Sequence, residues 1–198
     1  MGEDSRMARL SVIRGGSGAQ ACFERLVRPH YAALFRVASR FTGSRADAED
    51  LVQETCLRAY RNIARVATLE NPLTWLLCVL RRLYIDRTRR YERSKVSSID
   101  EGLLAEIASA APDPSDAVSS EQVARRIQRG LSRLGAEQRA LLILHDVEGY
   151  SLAELETIMA LKLGTIKSKL HRARVKLGRM LQAGVDQAEP TSLWRTRS

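Results

Sequence analysis

The stretch SLAELETIMALKLGTIKSKLHRAR, from Ser151 to Arg174, decides how the rest of the chain is read. Its first four residues, Ser151-Leu152-Ala153-Glu154, form a capping-box pattern. In such a box a serine hydroxyl and a glutamate carboxylate three residues on satisfy each other's exposed backbone N–H groups. The short helix opened there is expected to end near Ala160. After Leu161-Lys162-Leu163 a longer helix is predicted through Leu181, with Ile166, Leu170, Ala173 and Leu177 on an inward face. Short helix, tight turn and longer basic helix is helix-turn-helix organisation. On the outward face Thr165, Ser168, Lys169 and Arg172 align, and Lys167, His171 and Arg174 flank them. Arginine and lysine read guanine edges, serine and threonine read several edges, and flanking cations hold phosphates. Gly164 opens the helix and lets its N–H groups come close to a phosphate. The bland alternative is a solvated basic face. Against it, Lys162–Arg179 holds seven bases and no acid, whereas solvated faces mix signs.

Working outward, Val123, Ile127, Leu131 and Leu134 predict a helix ahead of this unit, and Leu141, Leu142 and Leu144 another over Glu137–Val147. Glu148-Gly149-Tyr150 breaks it. Farther upstream, Val96–Ala124 carries six acids and no base, together with Pro112, Pro114 and several serines, and reads as a flexible acidic linker. Before the linker, Phe23, Leu26, Val27, Leu34, Ala38 and Phe41 predict one amphipathic helix. A turn at Thr42-Gly43-Ser44 follows. A second helix, about Ala46–Asn62, puts Ala48, Leu51, Val52, Cys56, Ala59 and Tyr60 on one stripe. Asn71-Pro72 opens a third, proline being suited to the first helical position, and it runs to about Arg90. The expectation is an all-α chain of two small helical domains. Residues 1–18 read as a flexible N-terminus, 19–91 as the first domain, 92–118 as linker, 119–184 as the helix-turn-helix domain and 185–198 as a tail.

Composition narrows the function classes. The chain has 198 residues, 44% of them hydrophobic, and a net charge of +9. No run approaches the roughly 20 apolar residues of a membrane span, and no apolar leader segment is visible at the N-terminus. Cys22, Cys56 and Cys78 stand far apart, arguing against a disulfide framework or a zinc site and for a reduced, cytoplasmic setting. No Gly-rich phosphate loop or nucleophile triad occurs, so no catalytic residue, metal or cofactor is expected. A basic chain of this kind most often meets nucleic acid.

Two surfaces of the first domain complement that picture. In the third helix Trp75, Arg82, Asp86, Arg89 and Arg93 lie near one stripe, with Arg81, Arg87 and Arg90 beside it. An aromatic ring among arginines suits an unstacked single strand, whose bases stack and whose phosphates meet cations. A core role for Trp75 is the equal alternative. The second helix carries Asp47, Glu49, Asp50 and Glu54 with no base between them. It is either a solvated face or a docking face for a basic protein surface. A nuclease metal site is disfavoured, because these carboxylates do not converge.

Taken together these residues resemble the extracytoplasmic-function (ECF) group of bacterial RNA polymerase sigma factors, over about Phe23–Leu181. The acidic signature is Asp47-Ala48-Glu49-Asp50-Leu51-Val52-Gln53-Glu54-Thr55. The Trp-Leu helix runs from Trp75-Leu76-Leu77 to Ile85-Asp86-Arg87-Thr88-Arg89-Arg90. The third and fourth matches are Glu148–Glu154 and Gly164–Arg174. The resemblance implies an alternative sigma factor with no active site of its own, directing promoter recognition and melting. It implies that Asp47, Glu49, Asp50, Gln53 and Glu54 bind the β′ clamp helices of core polymerase. Asn62, the loop after it, Trp75, Arg81, Arg82, Arg87, Arg89 and Arg90 would capture and melt the start-proximal promoter element. Ser151, Gly164, Thr165, Lys167, Ser168, Lys169, His171, Arg172 and Arg174 would read the upstream element, and the second domain would also touch the β flap. The family's usual regulator is an anti-sigma factor, often membrane-anchored. Departures from the family pattern are Arg82 for asparagine, Leu134-Gly135 for Leu-Pro, Glu156 for alanine and Lys169 for arginine. The rival readings are a helix-turn-helix regulator that acts without polymerase and a sigma mimic that only titrates an anti-sigma factor.

Overall fold

Pro29 divides the first predicted helix. In the computed structural model, which describes residues 16–97 and 120–186, α1 (Gly16–Leu26) gives way to one 3-10 turn (Arg28–His30) and then to α2 (Tyr31–Thr42). Proline has no N–H to continue the ladder and its ring clashes with the preceding turn. Apolar spacing alone, being nearly continuous across the break, does not reveal it. Helix α1 also begins at Gly16, inside the stretch read as a flexible leader. Cys22 in α1 and Val27 just after it are buried, which offsets the roughly 1 kcal/mol that each helical glycine, Gly16 and Gly18, costs.

Helix α3 (Arg45–Arg61) starts at Ser44, whose hydroxyl accepts the Asp47 N–H at 3.3 Å. It buries Ala48, Leu51, Val52, Thr55 and Ala59. The buried Thr55 hydroxyl is satisfied by the Leu51 carbonyl at 2.8 Å. Tyr60, expected on that stripe, is instead 44% exposed, its ring meeting Phe23 edge-on at 5.8 Å. The single-turn α4 (Ile63–Val66) leads to α5 (Pro72–Ser97). Asn71 Oδ1 accepts the Thr74 N–H at the start of α5. The helix runs seven residues past the expected end at Arg90, because Tyr91–Ser97 contains no breaker even though the apolar periodicity has stopped.

The helix-turn-helix domain comprises α6 (Ser120–Ser132), α7 (Ala136–Leu142) continuing into a π turn (Ile143–Val147), α8 (Leu152–Met159) and α9 (Leu163–Asp186). Gly130 permits a close crossing: a Cβ there would come within 2.7 Å of Leu177 Cδ1 on α9. The linker, leader and tail assigned from sequence lie almost wholly outside the described residues.

Phe41, Leu34, Leu51, Leu76, Leu77 and Leu80 fill the first domain, and Leu141, Ile143, Leu144, Leu155, Ile158 and Ile166 the second. Each side chain of this kind contributes about 1.5–3 kcal/mol on burial. The two cores are continuous rather than separate. Helices α7 and α8 pack on α5, and the π turn packs on α2.

Candidate polymerase and nucleic-acid interfaces

The capping box forms. Ser151 Oγ accepts the Glu154 N–H at 3.2 Å, while the Glu154 carboxylate accepts both the Ser151 N–H at 2.8 Å and its hydroxyl at 2.7 Å. These bonds hold the Glu154 carboxyl below its ordinary value. Ser151 is thereby engaged within its own helix start. Ala160 ends α8 in the left-handed region, with φ 52°. Across the turn the Leu163 N–H donates to Glu156 Oε1 at 2.6 Å, so a carboxylate already sits at the first N–H of α9. Gly164 beside it is exposed, and a side chain built there would meet nothing within 4 Å.

The basic face of α9 splits in two. Thr165, Lys167, Ser168, His171 and Arg172 are exposed. The Ser168 hydroxyl donates back to the Thr165 carbonyl at 2.9 Å, and Arg172 Nε donates to the Ser168 carbonyl at 3.2 Å. Lys169 instead turns to Glu137 on α7, its Nζ 2.7 Å from Oε2. Arg174 forks onto Asp146 of the π turn, with Nε and Nη2 at 2.9 and 2.5 Å from the two oxygens. That bidentate bond raises the Arg174 pKa above its ordinary value. The sequence spacing placed all these cations on or beside one groove-reading stripe. Their acidic partners, 32 and 28 residues away, were not visible in it.

On α5, Trp75 is partly buried and packs against the core, as one of the two alternatives for it required. Arg82, Arg87, Arg89 and Arg90 are exposed. Arg81 is half-buried, and its Nε has no hydrogen-bond partner among the described residues. Burial pulls its pKa down, against the fields of Cys78 and Glu137. Asn62 is exposed at the end of α3, its Nδ2 donating to the Arg58 carbonyl at 2.8 Å. A cleft of about 330 Å³ brings Arg89 and Glu92 of α5 together with Glu137, Lys169 and Arg172 of the second domain.

The acidic residues of α3 are not equivalent. Asp47, Glu49, Asp50 and Gln53 are exposed and Glu54 is half-buried. Glu49 pairs with Arg45 at 2.9 Å and Glu54 with Arg58 at 3.0 Å, each one helical turn apart. Among the described residues Asp47 and Asp50 have no ion pair. One turn beyond lie Leu57, 46% exposed, and Tyr60. Leu57 lies off the buried stripe of α3, which is the only signal the sequence held for it. Among the described residues no group of three or more His, Cys, Asp or Glu is placed to hold a metal ion.

Residues 26–94 match the Sigma-70 region 2 family and residues 118–177 match Sigma-70 region 4. The ECF RNA polymerase sigma factor SigL of Mycobacterium tuberculosis is 36% identical, over 84% of this chain and 92% of its own. The chain belongs to the ECF sigma factors. SigE of Mycolicibacterium smegmatis, another ECF sigma factor, is 32% identical over 82% of this chain, which spans 63% of that protein. Among solved structures the chain resembles Bartonella quintana RpoE in complex with the anti-sigma factor NepR. The TM-score is 0.62 and the identity 28%, covering 81% of this chain and 96% of that one. In the terms of this family α2–α5 form region two and α6–α9 region four. Sigma factors supply promoter specificity to RNA polymerase and are not an enzyme family. No helix among the described residues is long and apolar enough to cross a membrane.

Proposed function

We propose that this ECF sigma factor grips core polymerase through the α3 face of region two, captures an opened strand with α5, and reads an intact upstream element with α9. One observation carries the reading: the matches to region two and region four stand in order on a single chain. Asp47 and Asp50, exposed and unpaired among the described residues, with Gln53 beside them, suit a basic polymerase surface such as the β′ clamp helices. Arg82, Arg87, Arg89 and Arg90 supply cations for the start-proximal element, with Asn62 at the adjoining loop. Trp75 and Arg81 become available to it only if their present packing loosens. Lys167, His171 and Arg172, with Thr165 and Ser168, form the outward reading face of α9, and Gly164 leaves room for a phosphate. Lys169 and Arg174 support that face through their acids, and Ser151 caps α8, the helix ahead of it.

Neither domain need bind tightly. Joined on one polymerase, each raises the other's effective concentration. The chain supplies recognition only; bond formation belongs to polymerase, and the site of action is the cytoplasm. Because solved structures of similar sigma factors include anti-sigma complexes, a protein inhibitor covering these same surfaces is the expected regulator. Run-off transcription with core polymerase on a promoter library tests the proposal. Specific start sites that depend on this chain are expected; none from any template would overturn it.

A further inference from the structure

Lys162 stands where a helix ordinarily carries its cap. Its carbonyl accepts the Ile166 N–H at 3.0 Å, which makes it the residue flanking the start of α9. Serine, threonine, aspartate and asparagine are the preferred residues at such a place, because a side-chain oxygen takes an N–H of the first turn. A lysine ammonium only donates, so Lys162 cannot serve. The acceptor comes instead from the preceding helix. Glu156 of α8 reaches over the turn, and its Oε1 takes the Leu163 N–H at 2.6 Å. Ala160 makes that reach possible: it ends α8 in the left-handed region at φ 52°, so the chain reverses and Leu163 meets the helix it has just left. Glu156 is exposed and has no ion pair among the described residues, and its carboxylate stands at the positive end of a 24-residue helix. From this cap hydrogen bonds continue along the outward face of α9. The Thr165 carbonyl accepts the Ser168 hydroxyl at 2.9 Å, and the Ser168 carbonyl accepts Arg172 Nε at 3.2 Å. Both links need the first turn to stay wound.

We infer that Glu156 is a positioning residue for duplex reading: by capping α9 from across the turn it fixes Gly164 and Thr165 and, through Thr165, Ser168 and Arg172. It touches no base itself. Its loss costs selectivity more than affinity. Cations attract the phosphates of any sequence, whereas discrimination between base edges needs side chains held in one geometry. The cap stands on the structure alone; its consequence for DNA rests on the reading role proposed above for α9.

A set of full-length variants separates the cap from the charge. Glu156→Gln keeps an acceptor and removes the charge, and Glu156→Ala removes both. Glu156→Ala with Lys162→Ser moves the cap back to the flanking residue, and Lys162→Ser alone controls for the lost cation. Amide hydrogen exchange at Ile166, followed by NMR on the full chain, reads the first turn without DNA. Glu156→Ala should exchange about fivefold faster, the worth of a typical cap, and the other variants should match the wild type. Each protein, assembled with core polymerase, then selects from promoter duplexes randomised through the upstream element. Glu156→Ala should lower the preference for the enriched duplex over its single substitutions about fivefold, at neighbouring base pairs and not across the whole element. Glu156→Gln and the double variant should keep the wild-type preference. Unchanged Ile166 exchange in Glu156→Ala overturns the cap. Faster exchange with unchanged preference, or a lost preference that Lys162→Ser does not rescue, overturns the positioning role. A wild type that enriches no duplex, with the exchange pattern as expected, overturns the reading role of α9 and the positioning role with it, and leaves only the cap.

Discussion

Lys169 on α9 reaches across to Glu137 on α7, its Nζ 2.7 Å from the carboxylate, so one of the cations on the basic face of α9 is neutralised from within its own domain. The pair is about one-third exposed on each side, and such pairs contribute at most about 1 kcal/mol to stability. With α9 meeting DNA as proposed, the larger expected effect of breaking the pair is on DNA binding. Glu137→Gln should tighten duplex binding and steepen the dependence of log K on log salt by about one unit, the signature of one more phosphate contact. Fluorescence titrations at several salt concentrations measure this; an unchanged slope would show that Lys169 stays away from phosphates.

The exposed cations predict a complementary loss. Lys167→Glu with Arg172→Glu should abolish transcription from a cognate promoter while the chain still co-purifies with core polymerase. Run-off assays paired with pull-downs separate the two readouts. Retained transcription would remove the groove role from α9.

On the acidic face, Asp50→Arg should weaken association with core polymerase more than Glu49→Gln does. Glu49 already spends its charge on Arg45 one turn away, whereas Asp50 has no ion pair among the described residues. Equal losses in a quantitative pull-down would mean that the helix acts through its total charge rather than through particular carboxylates.

Ala160 ends α8 at φ 52°, a conformation that costs an L-residue about 1–2 kcal/mol. Its side chain is exposed. Ala160→Gly should therefore stabilise region four by roughly 1 kcal/mol after the entropy of the unfolded glycine is subtracted. A rise in the urea midpoint with unchanged slope is the expected result, and a fall would show that the alanine methyl makes a needed contact.

The Ser151–Glu154 cap predicts a pH effect of definite sign. Glu154 titrates below its unfolded value because the folded carboxylate accepts hydrogen bonds from the Ser151 hydroxyl and N–H. Its contribution to stability is thus fully present above the ordinary carboxylate pKa and is lost as pH falls through the lowered one. Thermal melts of the wild type and Glu154→Gln should differ near neutrality and converge in acid. A difference that persisted at low pH would contradict the assignment.

Local signals carried most of the elements. The Ser151–Glu154 spacing announced a helix start and the structure has both halves of the box; Asn71-Pro72 announced α5. The break at Pro29 is not legible in the apolar spacing because apolar residues continue on either side of it, and the extension of α5 is not because the apolar periodicity stops before its last seven residues. At the site, the exposed members of α3 and α9 were legible as charge runs without opposite sign. The internal neutralisation of Lys169 and Arg174 was not, and neither was the burial of Arg81.

From the order of residues alone come the helices, the helix-turn-helix unit and the charge carried by each helix, because capping and amphipathic periodicity act within a few residues. Tertiary packing alone settles which charges remain available. Glu137, Asp146 and Glu148 find their cations 28 to 112 residues away, and ion pairing falls off within a few ångströms of contact, so only the docking of one helix on another chooses the partners.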